Sequence, residues 1–306
     1  MQLRKIYYLM LIIPLLFFYT GCSDNSTEPE ETVNESEVLV KYLEDNGEVI
    51  NTFAQMITAD EVNSNILASK DQYIIDIRNE NDFAAGHIKG AVRVDEKNVL
   101  EHYEENNLES KDVVVLVCVS GQTAGWVNGL LHTMSYTNAR DLKWGMCSWN
   151  AETSGPWTGA NVNNSRATEF VNTATPKPEA GNLPKLTTGK TKAEDILRAR
   201  VEAVFAEGFI ETKVSSDGVC DNLSNYFIAN YWIEVDYNWG HIEGAMQYTK
   251  KASLTSDADL KTLATDKTVA VYCYTGQTSA HVAAYLRVLG YDAKSITYGV
   301  NGMSYN

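Results

Sequence analysis

Cys118, Val119, Ser120, Gly121, Gln122 and Thr123 form a short segment in which a cysteine is followed three residues later by a glycine. Cys273, Tyr274, Thr275, Gly276, Gln277 and Thr278 repeat it 155 positions further on. Each cysteine closes an apolar run and each threonine leads into a helix-like one, so each sulfur is expected at a strand end, facing a helix N-terminus. Backbone N–H groups curling round the sulfur, with the positive end of the helix, favour a thiolate over a thiol. Gly121 and Gly276 allow successive N–H groups to point inward as an anion nest. Thr123 and Thr278 are expected at the helix N-cap, and Gln122 and Gln277 as side-chain donors to the site. A cysteine so placed is a soft nucleophile. The alternative for either one is an inert, buried core cysteine.

The elements that must hold these loops are legible on both sides of them. Residues 73–77 and 113–117 in the first half, and 226–229 and 268–272 in the second, are short apolar runs suited to strands buried on both faces. Val282, Tyr285, Leu286 and Leu289 fall on one face of a helix after the second loop. Val127, Leu130, Leu131 and Met134 do the same after the first, although Gly125 and Gly129 weaken that helix. Residues 194–207 read as the clearest helix, with 37–43 as its shorter counterpart. Such alternation predicts parallel α/β domains with sites at the carboxyl ends of strands.

The duplication reaches beyond the loops. Gly-His-Ile-Lys-Gly-Ala at 86–91 returns as Gly-His-Ile-Glu-Gly-Ala at 240–245, and Tyr136 and Gly145 return as Tyr291 and Gly299. A period this long means two copies of a whole domain. With Asp76-Ile77-Arg78 ahead of them, these motifs stand in the order found in the rhodanese family, and the chain resembles its tandem form. The resemblance implies two rhodanese-like domains, 38–155 and 193–306, each a parallel sheet flanked by helices, joined by a linker at 156–192. The second domain departs from the pattern, with Asn230 and Trp232 where the first has Asp76 and Arg78. Asp76 and Arg78 read as a structural ion pair, and His87 and His241 as residues that fix a turn.

The resemblance also implies an activity. Cys118 and Cys273 would take a sulfane sulfur from a donor such as thiosulfate or a mercapto-acid. Each would hold it as a persulfide and pass it to a thiol or cyanide, with no metal or organic cofactor. The loops are short and contain no arginine, unlike those of related phosphatases and arsenate reductases. The lack of loop cations also weakens the case for thiosulfate. Lys250, Lys251 and His281, or Arg93 in the first domain, could compensate from nearby sequence or could be solvated surface charges. A second reading keeps the fold but not the turnover: a non-catalytic envelope lipoprotein whose domains bind a partner or carry persulfide.

Residues 1–21 read as a lipoprotein-type signal peptide, with Arg4 and Lys5 before an apolar stretch too short to span a bilayer comfortably. Cys22 would then be the lipidated N-terminus of a protein on the cell envelope, facing the periplasm or the outside. Ordinary secretion with nearby cleavage is the alternative. Residues 22–37 form an acidic tether with no Lys or Arg. Loss of 1–21 removes two cations and moves the net charge from −15 to −17, which disfavours nucleic acid and anionic lipid. Cys147 and Cys220 are expected to be small buried residues rather than a disulfide.

Overall fold

A computed structural model describes residues 33–47, 50, 55–159 and 161–305. The signal segment, Cys22 and the tether as far as residue 32 lie outside them. Among the described residues no helix is long and apolar enough to cross a membrane.

Two five-stranded parallel sheets form the frame. The first contains β1 (Met56–Ile57), β2 (Gln72–Asp76), β3 (Val92–Arg93), β4 (Val113–Val117) and β5 (Ala139–Leu142), in the order β1-β5-β4-β2-β3. The second contains β6 (Lys213–Val214), β7 (Tyr226–Asn230), β8 (Met246–Gln247), β9 (Thr268–Tyr272) and β10 (Ala293–Ile296), in the order β6-β10-β9-β7-β8. Each strand of one sheet thus has its counterpart in the other, and β4 and β9 lie at the centres. The first domain's helices are α1 (Glu35–Asp45), α2 (Ala59–Leu67), α3 (Glu80–Ala85), α4 (Val99–Glu105), α5 (Gln122–Thr133) and α6 (Gly155–Thr158). The second domain's are α7 (Ala193–Glu207), α8 (Ser216–Cys220), α9 (Glu234–Trp239) and α10 (Gln277–Val288).

Strand periodicity divides the core. Val114 and Leu116 join Val269 and Val271 in one apolar cluster that runs through both domains. Their neighbours alternate to the outer faces, Val115 and Val117 in one domain and Ala270 and Tyr272 in the other. Between the sheets α5 packs on α10. Gly125 and Gly129, which weaken α5 as an isolated helix, make this approach close. A Cβ at Gly125 would stand 2.9 Å from the Gln277 carbonyl, and one at Gly129 3.1 Å from Ala284 Cβ.

The domain edges differ from the expected ones. Glu35, Ser36 and Glu37 belong to α1 rather than to a tether, because Leu39, Val40 and Leu43 give the helix a buried face and Asn34 caps it. Glu35 then accepts the Thr188 and Gly189 N–H groups at 2.7 and 2.8 Å. The linker is likewise pinned along its length. Residues 156–158 sit in α6, Val171 pairs with His241, and Lys177 Nζ lies 2.6 Å from Asp259.

Candidate functional site

Both cysteines leave the carboxyl end of a central strand and are nearly buried, Cys118 at 4% exposure and Cys273 at 5%. Cys118 Sγ accepts the N–H groups of Gly121 and Ala124 at 3.1 and 3.3 Å. Cys273 Sγ accepts the Ser279 N–H at 3.3 Å, with Ser279 Oγ 3.6 Å away. Ser279 Oγ is itself 2.8 Å from Ser295 Oγ. The first domain has Ala124 and Asp141 at the matching positions. The outer side of each loop is tied down as well: Met146 N–H and Val300 N–H donate to the Cys118 and Cys273 carbonyls at 2.8 and 3.0 Å. That strap passes so close that a side chain at Gly145 or Gly299 would collide with the cysteine's carbonyl. The repeat of those two glycines therefore has a steric cause.

The thiol of the first domain runs against the expected activation. Burial pushes Cys118 up to about 11, outweighing the pull of the Ala124, Gly121 and Ser120 N–H groups. Alkylation of Cys118 by iodoacetamide should therefore still be climbing as pH passes the unperturbed cysteine value of about 8.5. Mass spectrometry of the Cys118 peptide would read this, and a plateau below that pH would contradict it.

Two roles assigned to the loops change. Gly121 and Gly276, both left-handed, are the N-cap residues, and neither helix start has a side-chain cap. The tight glycine turn starts the helix two residues earlier than expected, which places Thr123 and Thr278 inside the first turn. Both glutamines reach across the domain interface, and Gln122 Nε2 also donates to Ser120 Oγ of its own loop at 3.0 Å. Gln122 Oε1 accepts the Tyr298 N–H at 2.8 Å, and Gln277 Oε1 accepts the Trp144 N–H at 3.0 Å. Trp144 and Tyr298 hold positive φ, 64° and 59°, to present those groups. Gln277 Nε2 also donates to the Leu142 carbonyl at 3.1 Å and to buried Asp141. Asp141 accepts from Asn128 at 2.7 Å, and His281 Nε2 stands 3.0 Å from it, close enough for an ion pair but not aligned for a hydrogen bond. His281 is thus part of the interface, not a cation at the Cys273 loop.

The two loops differ most in what lies above them. A cavity of about 520 Å³ is lined by Cys273, Tyr274, Thr275, Gln277 and Thr278. Lys250 lines it too, as does Lys143 from the first domain, which sequence distance hid. Lys251 does not line it; its N–H is held by the Tyr231 hydroxyl. Cys118 is absent from that cavity. Its loop is approached by Trp157, whose indole N–H donates to the Ser120 carbonyl at 3.3 Å and whose ring meets Tyr298 edge-on. Val119 is exposed and Ser120 buried. Arg93 serves the fold instead: it donates to the Arg78 carbonyl at 3.1 Å and lies near Glu80 and Asp95.

The remaining motif residues make structural contacts. Arg78 pairs with buried Asp76 at 2.7 Å and donates to the Gly86 carbonyl. His87 and His241 bond the Phe83 and Tyr237 carbonyls at 2.9 and 2.8 Å. In the second domain Trp232 stacks on Tyr274, ring centroids 4.6 Å apart. Cys147 and Cys220 are unbridged and half-buried; their sulfurs lie against the Val119 carbonyl and Met303 Sδ. Among the described residues no group of three or more His, Cys, Asp or Glu side chains could hold a metal ion.

Two parallel α/β domains in tandem, each with a cysteine loop behind its central strand, define the class. The rhodanese-like domain model matches residues 58–152 and 233–305, more than half of the chain, and the protein belongs to that family. Among solved structures, a thiosulfate sulfurtransferase from Pseudomonas aeruginosa is 16% identical over 86% of this chain and 46% of its own, with a TM-score of 0.30. A rhodanese-like domain protein from Staphylococcus aureus is 22% identical over 31% of this chain and 91% of its own, TM-score 0.27. A human single-domain sulfurtransferase is 18% identical over 31% and 93%, TM-score 0.25. No curated protein matches the chain.

Proposed function

We propose that this protein is a sulfurtransferase whose working thiol is Cys273, with the first domain as its scaffold. The observation that carries the reading is the cavity over Cys273, which brings two lysines from two domains to a sulfur held by a helix N-terminal N–H. The Cys273 thiolate attacks the outer sulfur of a donor; the new S–S bond forms as the donor's own bond to that sulfur breaks and its electron pair departs with the leaving group. The persulfide then gives its outer sulfur to a thiol or cyanide and Cys273 returns as thiolate. Lys143 and Lys250 offset the negative charge of donor and leaving group, which the acidic surface otherwise repels.

Steady-state rates measured over a grid of thiosulfate or 3-mercaptopyruvate against cyanide or a thiol should give the parallel lines of ping-pong transfer. Sulfur bound without any transfer to either acceptor would favour the carrier or binding module. The buried, upward-shifted Cys118 is the specific observation that supports such a non-catalytic role for the first domain.

We further propose that Cys22 anchors the protein to the cell envelope by lipid. In the native host, Cys22→Ser should move the protein from the membrane fraction to the soluble one. Retention of the variant in membranes would count against the anchor.

A further inference from the structure

We propose that Cys118 and Cys147 of the first domain are a redox pair, joined as a disulfide by exchange with a disulfide donor, and that this bond slows the loading of Cys273. The pairing stands apart from the sulfurtransferase reading; only the effect at Cys273 rests on it. The fold brings the two cysteines together. Met146 and Cys147 donate successive backbone N–H bonds to the Cys118 and Val119 carbonyls, at 2.8 and 3.1 Å. Backbones joined by such bonds run about 5 Å apart. A disulfide spans a Cα separation of about 4.4–6.8 Å. Gly145 permits this approach, since a Cβ there would lie 2.4 Å from the Cys118 carbonyl oxygen and 2.6 Å from the Gly121 nitrogen. The Cys147 sulfur lies 3.1 Å from the carbonyl oxygen of Val119, the residue next to Cys118. Tyr298, whose hydroxyl bonds the Ser120 side chain, is near enough to interact electrostatically with both sulfurs.

Cys147 is half-buried whereas Cys118 is 4% exposed, so Cys147 meets the donor first. Its thiolate attacks one sulfur of the donor disulfide; a mixed disulfide forms and the other donor sulfur leaves with the electron pair. Cys118 then attacks the Cys147 sulfur and releases the second donor thiol. The pair gives up two electrons and two protons, and the donor carries them away as two thiols. Disulfides are the oxidants that an exported chain meets. Burial pushes both thiols up, Cys118 to about 11, and a thiol of high pKa is a slow leaving group, so the bond once made resists exchange. To form it, Cys118 Sγ must leave the Gly121 and Ala124 N–H groups. The two segments it joins are those that grip the second domain. Gln122, beside Gly121, accepts the Tyr298 N–H behind Cys273, and Trp144, on the Cys147 strap, donates to Gln277 of the Cys273 loop. Shifting either segment therefore moves the Cys273 loop or the strap behind it.

The test incubates the full-length protein with glutathione disulfide and maps its cysteine peptides without reduction. Single-turnover loading of Cys273 from thiosulfate or 3-mercaptopyruvate is then measured. The Cys118 and Cys147 peptides should be linked to each other, with Cys220 outside the link, and dithiothreitol should undo it. Loading of the oxidised parent should fall at least about fivefold further than that of Cys147→Ser treated in the same way, the low end of ordinary coupling between sites. The comparison cancels any glutathione taken up by Cys273 itself, because both proteins carry that thiol. Serine keeps a donor for the Val119 carbonyl, and untreated Cys147→Ser should load at the parent's rate. Cys118 and Cys147 found free, capped by glutathione alone, or linked to other cysteines would overturn the pair. A linked pair whose loading falls no further than that of Cys147→Ser overturns the control of Cys273. Loading in no sample, oxidised or reduced, defeats the sulfurtransferase reading and with it the effect at Cys273, while the peptide map still decides the pair.

Discussion

Replacing Cys273 by serine is expected to lower sulfur transfer by at least about a thousandfold, the scale of losing a nucleophile for which no neighbour can substitute. Cys118→Ser should cost less than about threefold, despite the nearly identical loop around it. The asymmetry comes from the surroundings. Cys273 opens on a cavity with two lysines, whereas the Cys118 thiol is pushed up to about 11 and its loop is approached by Trp157. At neutral pH such a thiol is almost entirely protonated, and a thiol is a poor nucleophile. Steady-state transfer to cyanide, measured for both variants beside the parent, reads the difference. Equal losses would mean that both loops work; a loss confined to Cys118→Ser would reverse the assignment.

The second large effect is expected at Asp141, which lies far from any reacting atom. Its carboxylate is fully buried between the domains, where Asn128 from its own domain and Gln277 and His281 from the other converge on it. Asp141→Ala would remove the carboxylate on which those three groups converge, leaving the side-chain N–H groups of Asn128 and Gln277 only their bonds to the Gln55 and Leu142 carbonyls. Losing a buried carboxylate that accepts from several groups costs about 3 kcal/mol. In a protein of this size that lowers the melting temperature by roughly 10 °C. Asp141→Asn keeps the shape and one acceptor oxygen, so it should lose less. Gln277 belongs to the Cys273 loop, so loading of Cys273 should slow in both variants as the melting temperature falls. Thermal melts and single-turnover loading measured together test this. An unchanged melting temperature in Asp141→Ala would show that the cluster contributes little to holding the domains.

Much of this architecture was legible in the chain itself. The runs at 113–117 and 268–272 are strands with those bounds, because β-branched and aromatic residues between turn signals have few other uses. The repeated motifs located both loops and both turn histidines, since each is a local pattern. What could not be read was whatever crosses the chain. Lys143 and Trp144 reach the Cys273 cavity from more than a hundred residues away, and nothing in their own neighbourhood marks them. The exchange of Gln122 and Gln277 between domains was hidden for the same reason, and it converted two expected site donors into interface residues. Thr123 and Thr278 were misplaced by two positions because a left-handed glycine starts each helix early. Glu35 and Glu37 looked like tether by composition, yet acids in a first turn also favour a helix start. The repeat of Gly145 and Gly299 was the one signal that could have revealed the strap behind each cysteine.

The central claim is that sulfur resides on Cys273 during transfer. Intact mass and peptide mapping after loading with donor alone, for the parent protein, Cys118→Ser and Cys273→Ser, test it most directly. The account predicts the mass of one added sulfur atom on the parent and on Cys118→Ser, mapped to the Cys273 peptide and lost on addition of cyanide, and none on Cys273→Ser. Sulfur found on Cys118, or on neither cysteine with both thiols shown to be reduced, would contradict it.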